Sequence, residues 1–315
     1  YSTNYHRVML DTYSMVEIWR AKLELPKFSV HLYSKLSAAT NWLYQFTLSK
    51  TGDIANLGAN DGARLLPLTN TDYRDFRPSV QLASVLFNNS LAWPEEGDWN
   101  LPLKWLSIDL PTQMLVKQKS THFSNGGYFV LRVGAATAVL NYPEFHFRPS
   151  QCDSLHLDFW LDGENLLRDA GTYSYNGGDE FIKYFGGSAS HNIVQFDDNE
   201  QMPRIGRFLL GGWLKSKNII NLSEVPGRVE CSAGYQSSLG VNHDRSVKLT
   251  EDSLIVADKI SGFEHKAVLR WRLKPGNWQL DDNTLSNGDH SLTIKTDLPI
   301  KNIEIINKID LIIFI

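Results

Sequence analysis

The spacing of apolar residues changes partway along this chain, and that change limits the fold more than any other feature. Near the start, Val8, Met15, Val16, Trp19 and Leu23 recur at close to the helical period. Leu32, Leu36, Ala39, Leu43 and Phe46 form a second helical stripe, with Pro26 expected in the first turn of that helix. The segment "RPSVQLASVLF" (77–87) predicts a third helix opening near Pro78. Between them "KTGDIANLGANDGARLLPL" (50–68) breaks the pattern with three glycines and several Asn and Asp, so it predicts a loop. Its length and polarity suit a binding loop better than a connector. From about residue 115 the runs become short, rich in Val, Ile, Phe and Trp, and punctuated by Gly, Asn and Asp. "LDGEN" (161–165) carries the Asp-Gly signal of a tight hairpin, and "LTEDSLIV" predicts a second. Helices followed by eight or more strands, with no helical pattern between the strands, predict an all-α bundle or toroid and then a large antiparallel β-sandwich. The closing "IKNIEIINKIDLIIFI" is simple in composition and ends on an apolar edge, as a truncated sheet or an altered reading frame would.

At 315 residues the chain can hold more than one domain. A net charge of −4 without a block of either sign gives no basic arm for nucleic acid and no polybasic membrane patch. No apolar run approaches the length of a membrane span. Nine Trp fit a glycan binder, because sugar rings present apolar C–H faces to aromatic side chains; a large aromatic core is the plainer explanation. The two cysteines, Cys152 and Cys231, are too few for a disulfide framework, and sequence leaves open whether they bridge. The chain contains no P-loop, GxGxxG, CxxC, HExxH or G-x-S-x-G pattern. It opens without Met or a leader, and the expectation is that N-terminal sequence is missing or was removed.

Four places could carry chemistry. Tyr5–His6–Arg7 stand at the head of the first helix, where such residues are more often structural. Asn56, Asn60, Asp61 and Arg64 lie in the polar loop, whose plainer role is helix capping. In "RPSQCDSLHLDFW", strand alternation puts Cys152, Ser154, His156 and Asp158 on one face, and Asp169 returns on the partner strand. Such a set can bind a metal or orient a sugar, or simply satisfy its own hydrogen bonds. His191 follows the Gly-Ser loop of "GSASHNIVQFDD" and opens a strand.

Taken in order, "STNYHRVMLD" (2–11), "NLGANDGARLLPL" (56–68), "YRDFRPSVQLAS" (73–84), "DSLHLDFWLDGENLLRDAGTYSYN" (153–176), "SASHNIVQFDD" (188–198) and "NHDRSVKL…VADKISG" (242–262) resemble the heparinase II/III-like polysaccharide lyases. The resemblance spans almost the whole chain. It implies that 1–112 is the C-terminal part of an α/α toroid and 113–315 an antiparallel β-sandwich. It also implies β-elimination on a uronic-acid glycan, an acidic polysaccharide partner, and a periplasmic or cell-envelope location. In that chemistry the C5 proton is removed, the C4 oxygen leaves, and donors neutralise the uronate carboxylate. Tyr5 would then be the acid/base, assisted because a free phenol titrates near 10. His6, Arg7 and His191 would support it, and Asn56, Asn60, Asp61, Arg64 and Tyr175 would touch substrate. The groups are expected to share one groove. The family's Asn-His motif would lie several tens of residues before Tyr5, so this chain used alone is expected to be inactive.

Many members carry a His two residues before the Asp of the first sandwich motif. Here that position is Gln151, a poor zinc ligand. A zinc or other divalent site would therefore use Asp169 and His191 with His156 or Cys152; the alternative is no metal at all. Two further readings compete with the lyase. One is an inactive glycan-binding or surface-polysaccharide assembly protein on the same fold. The other is a glycoside hydrolase, for which Asp53 and Asp61 are the only loop carboxylates.

Overall fold

The computed structural model describes residues 2–306 and 310–315, so positions 307–309 of the closing apolar stretch lie outside the described residues. The chain forms two compact units, Ser2–Lys119 and Ser120–Ile315.

The first unit contains α1 (Thr3–Lys22), α2 (Val30–Phe46), α3 (Arg77–Asn88) and the short α4 (Leu101–Trp105). The Ser2 hydroxyl caps α1 by accepting from the Tyr5 amide at 3.1 Å, and Arg20 and Lys22 meet the negative end of its dipole. The buried face of α1 is not the apolar stripe expected from sequence. Thr3, Asn4, Arg7, Leu10, Asp11, Ser14 and Ile18 turn inward, while Trp19 is 57% and Leu23 68% exposed. A polar face can be buried when its groups find partners in the loop opposite, and most of these do. The Ser29 hydroxyl caps α2, so Pro26 lies in the preceding connection rather than in the helix's first turn. Its inward stripe of Leu36, Thr40, Leu43 and Phe46 follows the expected period. Pro78 occupies the first turn of α3, where its missing N–H costs nothing, and Asn89 ends the helix in the left-handed region. Ile18, Leu82, Val85 and Leu103 join α1, α3 and α4 in one apolar cluster. Residues 47–76 connect α2 to α3 without helix or strand.

The second unit is built on strands, and among the described residues every ladder between them is antiparallel. They are β1 (Thr121–Phe123), β2 (Tyr128–Val133), β3 (Ala136–Asn141), β4 (Leu157–Leu161), β5 (Glu164–Leu167), β6 (Val194–Phe196), β7 (Arg204–Gly206), β8 (Leu209–Leu210), β9 (Lys215–Val225), β10 (Arg228–Gln236), β11 (Asn242–Thr250), β12 (Leu254–Ser261), β13 (Ala267–Arg272), β14 (Gln279–Asp281), β15 (Thr284–Ser286), β16 (Ser291–Thr293), β17 (Asn302–Ile306) and β18 (Asp310–Phe314). One sheet runs β1-β2-β3-β4-β5, a second β12-β11-β10-β9 and a third β17-β18-β13-β6; smaller ladders join β14-β15-β16 and β7-β8. One short helix, α5 (Asp179–Phe185), interrupts the strands, which the sequence pattern did not predict.

Both expected hairpins form. Asp162 and Gly163 take φ of 50° and 86° between β4 and β5, and Leu249 pairs with Leu254 across the β11–β12 turn. Alternation along β10 turns Val229, Cys231, Ala233 and Tyr235 inward, against Phe129, Leu131, Leu140, Val247, Leu249 and Trp271 in a single core. Cys152 and Cys231 are both free and buried in that core, so they do not bridge. The strand expected across 152–159 begins only at Leu157, because Leu155 has φ of 66°, which breaks the extended run.

Gly127 shows how tightly the first sheet is closed. Its φ is 74°, and a Cβ there would sit 2.2 Å from the Tyr142 carbonyl oxygen, whereas Gly227, with the same φ, faces open space. Gly227→Ala should lose about 1 kcal/mol from left-handed strain alone. Gly127→Ala should lose a further 1–3 kcal/mol, roughly, from the clash. Equal losses in urea denaturation would show that the turn shifts to make room.

Candidate functional site

Two polar constellations stand out, one in each unit. In the helical unit, Tyr5 is 40% exposed on the first turn of α1, and its hydroxyl donates to Asp61 Oδ2 at 3.0 Å. Asp61 Oδ1 accepts from Asn4 Nδ2 at 3.2 Å and from the Ala63 amide at 3.0 Å. Asn4 Oδ1 in turn accepts from Arg7 at 2.8 Å and from the Tyr73 hydroxyl at 2.9 Å. Asn60 Oδ1 accepts from Tyr73 and from the Gly62 amide. The loop that the sequence marked is therefore folded onto the head of α1. Asn4 and Tyr73 are the links between them, and sequence reasoning missed both. Their signal was the period: Asn4 and Arg7 are one turn apart, on the face that proves to be buried.

The other loop residues do different work. Arg64 donates to Thr71. Asn56 accepts from Arg74, which also pairs with Asp53. Asp53 is thus bonded to Arg74 and the Ile54 amide, and Asp61 to Tyr5, Asn4 and the Ala63 amide.

His6 and Arg7 lie behind Tyr5. His6 Nε2 donates to the Ala39 carbonyl at 2.8 Å, and its ring stacks on Trp42 with centroids 4.6 Å apart. Burial lowers its pKa to about 4, so the ring is neutral at pH 7 and ties α1 to α2. Arg7 is 1% exposed; its guanidinium lies 4.5 Å from the Tyr73 ring centre and 4.3 Å from that of Phe76.

One turn further on, Asp11 is buried. Desolvation raises its pKa to about 6, against the opposing pull of Ser79, Arg7, Arg64 and the Leu66 amide; neither carboxylate oxygen closes a full hydrogen bond. A raised folded pKa means that the folded state holds the proton more tightly. The resulting stability is present below the unfolded value of about 4 and lost as pH rises through about 6. Asp11→Asn should remove that slope. The stability of the wild type minus that of the variant should fall by about 2–3 kcal/mol between pH 4 and pH 7. A flat difference would show that the carboxylate is solvated.

In the strand unit, His156, Asp169 and His191 offer ligand atoms within 4.8 Å of one another, and all three are buried. His191 Nδ1 lies 2.6 Å from Asp169 Oδ2. His156 Nδ1 accepts from the Asn192 amide at 2.9 Å, and its Nε2 lies 3.3 Å from Asp158 Oδ2 and 3.6 Å from Asp169 Oδ2. Asn192 is fully buried and cross-links the site, donating to the Leu157 and Arg168 carbonyls and accepting from the Arg272 amide. The Gly171 amide holds Asp169 Oδ1 at 2.6 Å. Burial pushes the Asp169 carboxyl up, but His191 and His156 reverse this and hold it below the usual range. Burial pushes the His156 ring down, and Asp158 and Asp169 more than compensate. Asp153 faces the same rings, and burial raises its pKa.

His191 Nε2, His156 Nε2 and Asp158 Oδ2 close no hydrogen bond. Orphaned donor atoms around two imidazoles and a carboxylate fit a divalent cation such as zinc. Cys152 is not among them: its thiol donates to the Met202 carbonyl, and burial raises its pKa to about 12. Tyr175 lies apart from the cluster's bonds, its carbonyl accepting from Arg207 and its ring 5.1 Å from that of Phe208.

Comparison with known proteins gives this geometry a lineage. Residues 116–306 match the profile of the heparinase II/III-like C-terminal domain. Nothing matches among curated proteins. Among solved structures, a heparinase III with methylated lysines superposes with TM-score 0.72 at 16% identity, over 100% of this chain and 48% of that one. A heparan sulfate lyase mutant from Pedobacter heparinus gives 0.71 at 18% identity, over 99% and 49%. Another heparinase III structure gives 0.70 at 16%, over 100% and 51%. The chain thus spans about half the length of these structures, and at such identities the likeness is one of fold. Together with the profile covering most of the chain, it follows that the chain belongs to the heparinase II/III-like family.

Proposed function

We propose that this chain is part of a polysaccharide lyase that cleaves a uronic-acid glycan by β-elimination, with Tyr5 as the acid/base. Tyr5 first yields its phenolic proton to Asp61, the phenolate takes the C5 proton, the C4–O bond breaks, and a C4–C5 double bond forms. The phenol returns the proton to the leaving oxygen. The observation that carries this reading is the Tyr5 hydroxyl: it is held at a half-exposed helix start by Asp61, and Asp61 is itself fixed by Asn4. A proton-transfer group needs that combination of exposure and fixed aim. Asn60 and Arg64 belong to the same folded loop and would flank the sugar, with Asn56 and Tyr175 as further contacts. His6 and Arg7 support Tyr5 from behind. In this reading 1–112 is the C-terminal part of an α/α toroid, 113–315 is the sandwich, and the protein works in the periplasm or cell envelope on an acidic polysaccharide. Among the described residues no helix is long and apolar enough to cross a membrane.

His156, Asp169 and His191 would hold a divalent cation, which when bound offsets the charge of the buried carboxylates and joins the end of β5 to the segment before β6. The test is to incubate the whole protein with a panel of uronate glycans and follow ultraviolet absorbance of the unsaturated product. New reducing ends without that absorbance would mean hydrolysis and overturn the proposal.

A further inference from the structure

We propose that Arg245, on the second sheet, is the positioning residue that sets the spacing of the His156–Asp169–His191 cluster, and that Asp258 holds Arg245 in place. Alternation along β11 turns His243, Arg245, Val247 and Leu249 inward, so two polar side chains share the face that builds the core. Arg245 is fully buried. The ladder sets it opposite Asp258 on β12, and the pair closes a two-pronged bridge, Nε to Oδ1 at 2.7 Å and a terminal nitrogen to Oδ2 at 2.9 Å. His243 Nε2 meets the same Asp258 Oδ1 at 2.7 Å, and the Trp271 ring centre lies 5.0 Å from the guanidinium carbon.

The remaining terminal nitrogen faces the segments that lead into β4 and β6. It donates to the Leu155 carbonyl at 2.7 Å and to the Asn192 carbonyl at 2.6 Å. Leu155 immediately precedes His156, and Asn192 immediately follows His191. One guanidinium therefore grips the two backbone segments that carry the two imidazoles. The first segment also hangs on the end of β3, the Leu155 N–H donating to the Asn141 carbonyl and the Asn141 N–H to the His156 carbonyl, yet Leu155 sits at φ 66°, a conformation that needs outside support. The Asn192 amide, bonded to His156 Nδ1, lies in the same short bridge. Lysine cannot substitute, because one ammonium cannot serve a carboxylate bidentately and two carbonyls from a planar fork.

The inference rests on the proposed divalent site for its purpose, but the clamp can be tested apart from it. Zinc alone is titrated into wild type, Arg245→Lys, Asp258→Asn and Leu249→Ala, in competition with a chelator. Leu249 is the control: it faces inward on the same strand, in the apolar core. Arg245→Lys should bind zinc about 10–100-fold more weakly, Asp258→Asn should weaken it in the same direction, and Leu249→Ala should melt earlier yet keep wild-type affinity. Hydrogen exchange should quicken at residues 154–158 and 190–194 in Arg245→Lys and not in Leu249→Ala. If wild type takes up no zinc, the metal reading falls and the exchange comparison alone decides the clamp. Wild-type exchange in both segments of Arg245→Lys, or of Asp258→Asn should the lysine variant not fold, overturns the proposal.

Discussion

Tyr5→Phe is expected to slow elimination by about 10²–10⁴-fold, the usual worth of a positioned proton-transfer group. The change removes one hydroxyl. It deletes the hydrogen bond to Asp61 at an exposed position, worth about 0.5–1.5 kcal/mol. Tyr5 is 40% exposed and the ring stays in place, so the melting temperature should barely move. The measurement is the initial rate of unsaturated-product formation by the whole protein, with thermal unfolding recorded on the same sample. Asp61→Asn should act in the same direction but more mildly, because it keeps an acceptor near the phenol while removing the charge. Unchanged turnover in Tyr5→Phe would return the tyrosine to the structural role that most helix-start tyrosines have.

Arg7→Ala should do the opposite, costing the fold first. The guanidinium lies against the Tyr73 and Phe76 rings and donates to the carbonyls of Tyr73 and Ala63 and to Asn4. Removing it leaves buried acceptors unpaired, strips Asp11 of a nearby positive charge, and opens a cavity. A loss of about 3–5 kcal/mol is expected, read as a lower denaturation midpoint of the helical unit. Turnover should fall in step with the folded fraction, and Arg7→Lys should recover part of both. A variant that melts like wild type yet has lost elimination would put Arg7 at the substrate instead.

The strand half of the molecule could be read from sequence because its physics is local. Asp162-Gly163 demands positive φ wherever it occurs, and alternation along β10 and β11 follows from the pleat. Asp169, His191 and His156 were nameable in advance, since residue type and motif order mark them without knowledge of distance. Their closeness was not nameable. It depends on a left-handed turn at Leu155 and on an arginine from a strand some ninety residues later.

The helical half shows the opposite limit. Its helices follow from period and caps, yet the apolar stripe Val8–Met15–Trp19–Leu23 pointed to the wrong face of α1. A helix turns inward whichever face its surroundings can satisfy. The loop at 53–76 supplies acceptors and charges that make the polar stripe of Asn4, Arg7 and Asp11 the better one to bury. Composition and spacing by themselves determined that this chain is helices followed by antiparallel strands and which residues could carry chemistry. Only the tertiary structure decided which of them meet, because partnership between buried polar groups is set by residues distant in sequence and leaves no periodic trace along the chain.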